Sequence, residues 1–419
     1  MTDRRSGNSP DSPESQQAFR TRLARIDRFM ADEYVRPGKL AGTLVQVWRH
    51  GELAFSSLQG TADRERGTPM AEDTIFRIYS MSKPITSVAF MMLFEEGRFA
   101  LDEPVAKYIP EWADLGVFEG GEHGDFRTSR PARPMQLVDL LRHTSGLTYG
   151  FQQRTPVDAA YRKLNAGGVD TQGTLDDMIS ALAGLPLEFS PGEAWNYSVS
   201  TDVIGYLVGK ISGIPFEQFL RERIFEPLGM RDTGFHVPAD KQFRFAACYS
   251  IGQLGGASAT DTRPVLQDDP LRSRYLSPPS FVSGGGGLVS TAADYLRFSR
   301  MLLAGGTLDG VRIIGPRTLE LMTANHLPGG ADLPQLSRSM FSEAGYQGVG
   351  FGLGFATTLA PARTLVPGNA GDFFWGGAAS TFFWVDPKED MIVLLLTQLI
   401  PSSAYPLRRQ LRTLVYGAI

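Results

Sequence analysis

Segments with the composition of β-strands lie near the two ends of the chain, and this distribution limits the folds open to it. Close to the N-terminus, residues 42–48 and 53–57 flank a His50-Gly51 turn and predict a hairpin. The last quarter predicts four more strands, over residues 352–358, 372–375, 380–385 and 391–398. Between these regions the chain has helical spacing or is rich in Gly and Pro, so we expect the strands to meet across a long insertion.

The chain is therefore expected to have an α+β fold, with one mostly antiparallel sheet built from its N- and C-terminal segments, flanked by helices, and a mainly helical domain inserted. Residues 15–34 and 403–416 are predicted helices that would cover this sheet. Between them, a helix is predicted over about residues 200–212, and Thr291 is predicted to cap another, with Asp294 three residues on. We predict a disordered tail over residues 1–14, a sheet domain over 15–85 and 285–419, and a helical insertion over 86–284. Such a fold leaves a cleft between sheet and insertion, where a site is expected.

A short motif after the first hairpin, Ser80-x-x-Lys83, is suited to nucleophilic chemistry. Pro84 fits the first turn of a helix, and apolar residues follow it at helical spacing. Three residues are nearly one helical turn, so Ser80 and Lys83 share a face, whereas Ser82 is turned away. A serine hydroxyl needs a neighbour that takes its proton, and a Lys crowded out of water has a lowered pKa that suits it for this task. An ordinary helix start with a solvated Lys would show the same tetrapeptide.

Composition and charge exclude several other classes of function. The hydrophobic fraction of 42% and the charged fraction of 21% are those of a globular protein, and the net charge of −4 gives no basic surface for nucleic acid. The polar N-terminus lacks an apolar signal segment, and no apolar run is long enough to span a bilayer. We therefore expect a cytoplasmic location and no nucleic-acid or membrane partner.

Neither a metal nor a cofactor is predicted. The five histidines do not have metal-binding spacing. The single cysteine, Cys248, is interpreted as a buried structural thiol, because its neighbours in the sequence offer no activating cation. His143 and Ser145 precede Gly146 and are interpreted as turn residues rather than as a catalytic pair.

Two further segments are candidates for the same cleft. Tyr197 lies on a predicted loop that enters a helix. The segment Trp375-Gly376-Gly377-Ala378 has paired glycines at a predicted strand, as expected where a ligand approaches the backbone closely.

Together, these three motifs resemble those of the serine β-lactamase and penicillin-binding-protein superfamily. More narrowly, the chain resembles the class C β-lactamase-like carboxylesterases, often called family VIII esterases, from about residue 20 to its end. The resemblance implies a β-lactamase/transpeptidase-like fold and an acyl-enzyme reaction. It implies Ser80 as nucleophile, Lys83 and Tyr197 as groups that share proton transfer, and the amides of Ser80 and Ala378 as the oxyanion hole. The neighbouring ammonium is expected to lower the pKa of the Tyr197 phenol.

Two departures from the family pattern bear on the substrate. Where penicillin-handling enzymes usually have Tyr-x-Asn and Lys-Thr-Gly, this chain has Tyr-Ser-Val and Trp-Gly-Gly. Val199 cannot hydrogen-bond a substrate amide, and Trp375 removes the cation that would hold a substrate carboxylate, a loss of about 2–3 kcal/mol. With Gly376 and Gly377, these residues are expected to bind substrate, and the Trp wall favours uncharged, apolar groups. Hydrolysis of short- to medium-chain esters is therefore the first choice.

Three other functions stay open. The same acyl-enzyme machinery would serve a weak β-lactamase or a hydrolase of small linear or cyclic amides. An acyltransferase would use an alcohol or an amine in place of water. A non-enzymatic scaffold is a further alternative, although such chains usually lose a catalytic residue and this one keeps Ser80, Lys83 and Tyr197. The expected partner is a small-molecule ester, and either a monomer or a homodimer is compatible with the sequence.

Overall fold

The computed structural model describes residues 13–168, 171–252, 263–338 and 346–419. The α-helices are, in chain order, α1 Pro13–Leu23, α2 Arg25–Met30, α3 Ser82–Glu95, α4 Leu137–Leu141, α5 Pro156–Leu164, α6 Leu175–Ala183, α7 Ser200–Ser212, α8 Phe216–Leu220, α9 Glu226–Leu228, α10 Ala292–Leu303, α11 Pro316–Thr323, α12 Leu333–Leu336, α13 Pro361–Thr364 and α14 Leu407–Tyr416. The strands are β1 Gly42–Arg49, β2 Glu52–Asp63, β3 Thr68–Pro69, β4 Phe76–Arg77, β5 Val117–Gly120, β6 Arg127–Ser129, β7 Cys248–Ser250, β8 Val265–Asp268, β9 Val289–Ser290, β10 Thr307–Leu308, β11 Val311–Arg312, β12 Val349–Phe351, β13 Ala356–Thr358, β14 Phe373–Gly376, β15 Phe382–Asp386, β16 Met391–Leu396 and β17 Leu399–Ile400.

The main sheet has eight strands in the order β12-β13-β14-β15-β16-β1-β2-β3, and neighbouring strands run antiparallel. Within it, β1 pairs with β16, which sets Leu44 opposite Leu396 and Trp48 opposite Ile392. All of β16 is buried, as expected for a short, continuously apolar strand. Because this pairing joins the two ends of the chain, the predicted antiparallel sheet from the N- and C-terminal segments is confirmed.

Helices cover both faces of the sheet, and strand β15 shows how the sequence directs them. Neighbouring side chains of a strand point to opposite faces. Phe382 and Trp384 face α14, where the Arg412 guanidinium lies 6.0 Å and 5.0 Å from their ring centroids. Phe383 faces the other way, and its ring centroid lies 5.0 Å from that of Tyr295 on α10. The expectation that terminal helices flank the sheet is confirmed for α14.

A buried ion pair attaches α14 to the sheet. The two terminal nitrogens of Arg412 donate to the two carboxylate oxygens of Asp372, over 2.9 Å and 3.0 Å. Asp372 is completely buried, and the Thr358 hydroxyl also donates to it, over 2.6 Å. A carboxylate removed from water is stable only when partners of this kind replace the lost hydration.

One predicted strand is wrong. Residues 352–358 do not form one strand, because the chain reverses between β12 and β13, which pair with Gly350 opposite Thr357. The Gly352 amide donates to the Phe355 carbonyl over 2.7 Å, and Gly354 has a φ of 98°, which glycine adopts readily. The two glycines therefore make a turn inside a segment whose composition favours a strand.

The region between the two ends is mainly helical, with the short pairs β5–β6 and β7–β8 added. Helix α7 has the predicted bounds, residues 200–212, and packs against α3. All side chains of α3 from Ser82 to Leu93 are buried, so this helix lies in the interior. The packing of α3 on α7 sets the starts of the two helices side by side.

The structure describes two residues of the predicted disordered tail. Helix α1 begins at Pro13, so residues 13–14 of the predicted disordered tail are helical, and residues 1–12 lie outside the described residues. The division into residues 15–85 with 285–419 and residues 86–284 stays a prediction. Among the described residues, none of the helices combines the length and the apolar composition needed to cross a bilayer.

Candidate active site

Ser80 lies on a single 3-10 turn, Tyr79–Met81, that leads directly into α3. Tyr79 has a φ of 41°, in the left-handed region that residues with side chains rarely adopt, so the chain turns sharply just before Ser80. Ser80 keeps partial exposure to solvent, whereas Met81 and Ser82 are buried. The Ser82 hydroxyl accepts a hydrogen bond from the Leu288 amide over 3.2 Å, so it is engaged elsewhere, as the helical spacing predicts.

Lys83 follows one turn later on α3, and its amine is buried. The Lys83 Nζ lies 3.2 Å from Ser80 Oγ and donates to the Gly285 carbonyl over 2.6 Å. Burial lowers the pKa of Lys83 to about 7, and the nearby Asp202 carboxylate acts in the opposite direction. A large share of the Lys83 amines is therefore neutral near pH 7 and can accept the proton of Ser80.

Tyr197 lies just before α7, and its side chain reaches both Ser80 and Trp375. Its phenol oxygen accepts a hydrogen bond from the Trp375 indole over 3.3 Å and is also hydrogen-bonded to Ser80. The Lys83 Nζ lies 4.5 Å from the centroid of the Tyr197 ring. The structure thus brings together Ser80, Lys83, Tyr197 and Trp375, which are far apart in the sequence.

The pKa of Tyr197 differs from the expectation. Burial raises the pKa of the phenol, and the hydrogen bonds from Ser80 and Trp375 lower it by less. The expected lowering by a neighbouring ammonium is wrong for this structure, because burial also favours the neutral form of Lys83. Tyr197 therefore holds its proton at neutral pH and is a proton donor before it is a base.

His143 packs against Tyr197, which the local sequence does not indicate. Its φ of 57° places it in a turn, in agreement with the interpretation of His143 and Ser145 as turn residues. Its ring centroid lies 4.9 Å from that of Tyr197, and its Nδ1 lies 3.3 Å from the Ser198 hydroxyl. Burial lowers the pKa of His143 well below its usual value, and the Lys83 charge adds to this. A neutral His143 thus helps to fix the Tyr197 ring.

The two glycines after Trp375 make room for other parts of the chain. A side chain at Gly376 would meet the Arg408 guanidinium at 2.6 Å, and a side chain at Gly377 would collide with the Ile78 carbonyl oxygen. The sequence predicted that a ligand approaches the backbone at these glycines. In the structure, the groups that approach it are the Arg408 side chain and the Ile78 carbonyl. It brings the end of β14 against the turn that carries Ser80.

Ala378 lies at the tip of the turn that follows β14 and is exposed. The turn is closed by hydrogen bonds from the Gly377 amide to the Thr381 carbonyl, over 2.9 Å, and from the Ser380 amide to the Gly377 carbonyl, over 3.2 Å. Because Gly377 touches Ile78, this turn lies beside the start of α3. The oxyanion hole formed by the amides of Ser80 and Ala378 stays a prediction.

Val199 does not have the position expected of a substrate-binding residue. Its side chain is completely buried, and a side chain on Gly167 would collide with its Cγ1. Val199 therefore belongs to the core of the helical region. Its position directly before α7 accounts for this, because α7 is buried along most of its length.

Two features of the site were not predicted from the sequence. Arg408 on α14 donates to the carbonyls of Gly377 and Thr381, over 3.0 Å and 3.2 Å, so a cation does lie beside β14. The glycine-rich segment 283–287 is buried, and its Gly285 carbonyl holds Lys83. Neither contact has a local signal, because the partners are far apart in the sequence.

Cys248 and possible metal ligands are the remaining candidates for chemistry. Cys248 is completely buried in β7, and burial raises the pKa of its thiol to about 11, so its interpretation as a structural thiol is confirmed. Across the described ranges, no group of three or more His, Cys, Asp or Glu side chains is arranged to hold a metal ion.

A buried Lys beside a partly exposed Ser, with a phenol within hydrogen-bonding reach, is the arrangement of a serine enzyme that transfers acyl groups. Residues 24–416, almost the whole chain, match the Beta-lactamase family. The chain belongs to this family and is a serine hydrolase with the expected β-lactamase/transpeptidase-like α+β fold.

Three known proteins resemble the chain over most of their length. Protein Rv1367c of Mycobacterium tuberculosis is 40% identical over 368 residues, 87% of each chain. Esterase EstB of Burkholderia gladioli is 33% identical over 415 residues, 94% of this chain and 95% of EstB. The solved structure of EstCE1, a hydrolase with promiscuous acyltransferase activity, has a TM-score of 0.77 and 27% identity, and the match covers 96% of this chain and 100% of EstCE1. The resemblance to β-lactamase-like esterases is confirmed.

Proposed function

We propose that the chain is a serine carboxylesterase of the family VIII type, which hydrolyses short- to medium-chain esters through an acyl-enzyme intermediate. The observation that carries this proposal is the contact of Ser80 with both Lys83, at 3.2 Å, and the Tyr197 phenol. The 33% identity with the esterase EstB supports esters as the substrate class.

In the acylation step, Ser80 Oγ attacks the ester carbonyl carbon while the neutral Lys83 amine takes the hydroxyl proton. The amides of Ser80 and Ala378 bind the oxygen of the tetrahedral intermediate, and one such donor is typically worth ~3 kcal/mol. Tyr197, protonated because burial raises its pKa, gives its proton to the departing alkoxide. The Lys83 ammonium, whose Nζ lies 3.2 Å from Ser80 Oγ and 4.5 Å from the centroid of the Tyr197 ring, then returns a proton to the phenolate.

In the deacylation step, water attacks the acyl carbonyl and the protons move in the reverse direction. Water loses a proton to the Lys83–Tyr197 pair as its oxygen bonds to the acyl carbon. Ser80 Oγ leaves and recovers a proton from the same pair, which releases the acid. Each turnover therefore returns the three side chains to their starting protonation states.

The surroundings of Tyr197 support an uncharged, apolar substrate. The ring centroid of Trp375 lies 5.5 Å from that of Tyr197 and 5.2 Å from that of Phe351, so aromatic groups line this side of the site. Arg408 is a further cation beside β14, and its Nη2 donates to the backbone carbonyls of Gly377 and Thr381. These bonds hold the guanidinium at the backbone of the turn after β14.

Variants of the three reacting groups test the mechanism with p-nitrophenyl butyrate as substrate. Ser80→Ala and Lys83→Ala should abolish turnover in folded protein, and Tyr197→Phe should leave little, because each removes a reacting atom. Ser82→Ala is the matched control and should keep most of the activity, since Ser82 bonds Leu288 instead. Near-normal rates in a folded Ser80→Ala protein would contradict the proposal.

Two further measurements separate the ester assignment from the β-lactamase alternative. Intact-mass analysis after treatment with a fluorophosphonate should show one adduct, located by peptide mapping on Ser80. Steady-state kcat/KM should be higher for p-nitrophenyl butyrate than for nitrocefin. A preference for nitrocefin would favour the β-lactamase instead.

Acyl transfer is the second candidate function, because EstCE1 is described as a hydrolase with promiscuous acyltransferase activity. An alcohol or amine would replace water in deacylation, with the same proton movements. Incubation with vinyl butyrate and a primary alcohol, followed by chromatography, measures the ratio of transferred to hydrolysed acyl groups. A product that is butyrate alone at high alcohol concentration would exclude this candidate.

A further inference from the structure

A buried carboxylate, that of Asp202, lies close to the Lys83 amine. Asp202, the third residue of α7, has no exposed surface. Its Oδ1 accepts hydrogen bonds from the Ser283 hydroxyl, over 2.6 Å, and from the Gly285 amide, over 2.9 Å. The same peptide segment presents the Gly285 carbonyl to Lys83, at 2.6 Å. Asp202 is thus connected to the Lys83 amine through one residue.

The segment that joins the two groups is fixed on several sides. The Thr86 hydroxyl on α3 donates to the Gly284 carbonyl over 2.8 Å, so the segment is tied to α3 as well as to α7. A side chain on Gly285 would lie 2.8 Å from both Asp202 Oδ2 and the Tyr149 hydroxyl, so only glycine fits there. The segment therefore holds the Asp202 carboxylate and the Gly285 carbonyl in a fixed relation.

Lys83 is the cation nearest to the buried Asp202 carboxylate. Asp202 Oδ2 is buried, and the Tyr149 phenol is a hydrogen-bonding neighbour of the carboxylate. The groups that face it are Lys83 from α3 and the neutral phenols of Tyr149 and Tyr197. Lys83 is the cation among them, so the two charges act mainly on each other.

Building on the acyl-enzyme function proposed above, we propose that Asp202 is a positioning residue for Lys83. It fixes the Gly285 carbonyl that orients the Lys83 amine, and its negative charge sets the pH at which that amine becomes the base for Ser80. Ser80 reacts only when Lys83 is neutral, so the effect is seen in the pH dependence of acylation rather than in substrate binding.

The Asp202→Asn variant tests this proposal, because the amide keeps an oxygen acceptor for Ser283 and Gly285 but removes the charge. The charge of Asp202 raises the pKa of Lys83, so its loss should lower that pKa and move the acidic limb of kcat/KM to lower pH by about one unit or more. The rate of Ser80 labelling by a fluorophosphonate, followed by intact mass, should show the same shift.

Asp294→Asn is the matched control. Asp294 is also the third residue of a helix, α10, and is also buried, and burial raises its pKa as it raises the pKa of Asp202. Its carboxylate accepts from the Asp232 amide and the Thr233 hydroxyl, which have no contact with Lys83. This variant should leave the acidic limb where it is in the unmodified protein, and an equal shift in both variants would overturn the proposal.

Ser283→Ala decides the question if Asp202→Asn does not fold. It keeps the charge but removes one bond to the carboxylate, so kcat should fall severalfold with KM unchanged. An acidic limb that stays in place in Asp202→Asn, or an unchanged kcat in Ser283→Ala, would overturn the proposal. A protein that forms no Ser80 adduct at any pH would instead overturn the proposed function itself.

Discussion

At the scale of single residues, burial decides where the protons are. It lowers the pKa of Lys83 to about 7, lowers that of His143 and raises that of Tyr197. Near neutral pH, His143 is therefore uncharged, Tyr197 keeps its proton, and Lys83 is divided between its two forms. Loss of water thus lowers the pKa of the Lys83 amine and raises the pKa of the Tyr197 phenol. As a result, Lys83 can act as the base and Tyr197 as the acid at the same pH.

We expect the activity of the protein on a neutral ester to rise with pH around the Lys83 pKa of about 7. Below that pH, Lys83 is protonated and cannot take the proton of Ser80, so kcat/KM should fall tenfold for each further pH unit. A profile with p-nitrophenyl butyrate, corrected for spontaneous hydrolysis, measures this limb. A rate that stays constant well into the acidic range would show that Lys83 is not the base.

At the scale of elements, the turn after β14 depends on a glycine. The Gly377→Ala variant should lower kcat about 100-fold or more, because the new side chain collides with Ile78 and displaces the neighbouring Ala378 amide from the oxyanion hole. Gly184→Ala, at the end of α6, is the matched control, since its nearest new neighbour would lie at 3.7 Å. Equal activities of the two folded variants would remove Ala378 from the mechanism.

The elements also show what the sequence can predict. The bounds of α7 and the cap of α10, where the Thr291 side chain accepts from the Asp294 amide, follow from signals within a few residues, and they were predicted. The turn between β12 and β13 was missed, because Gly352 and Gly354 lie in a segment of strand-like composition. The interior position of Val199 was missed because it depends on packing against Gly167 rather than on its neighbours in the chain.

The same distinction applies to the candidate site. Ser80 and Lys83 are a local motif, whereas Tyr197 and Trp375 were candidates from the sequence whose roles came from the family resemblance. Asp202 and Arg408 act through Gly285 and Gly377, which are distant in the sequence, so no periodicity or spacing marks them. Contacts of this kind become visible only when the chain is folded.

At the scale of the whole molecule, the Arg412–Asp372 pair holds the C-terminal helix on the sheet. Arg412→Met should lower the free energy of unfolding by about 3–5 kcal/mol, because it leaves the buried Asp372 carboxylate without its cation. Urea unfolding followed by intrinsic fluorescence measures this change.

The control for this prediction is Arg317→Met, which removes an ion pair with Glu320 at the surface, where the Arg side chain is 89% exposed. Its unfolding midpoint should match that of the unmodified protein, since exposed pairs contribute little. If both variants unfold at the same urea concentration, α14 is attached mainly by its apolar contacts.

The pairing of β1 with β16 also has a consequence for biosynthesis. A ribosome makes β1 long before residues 391–396, which complete its hydrogen bonds on one side. During translation the nascent hairpin therefore presents an unpaired edge that can capture other chains. We therefore expect chaperones to bind this hairpin during translation. We also expect products truncated before residue 391 to aggregate, because they lack the strand that pairs with β1.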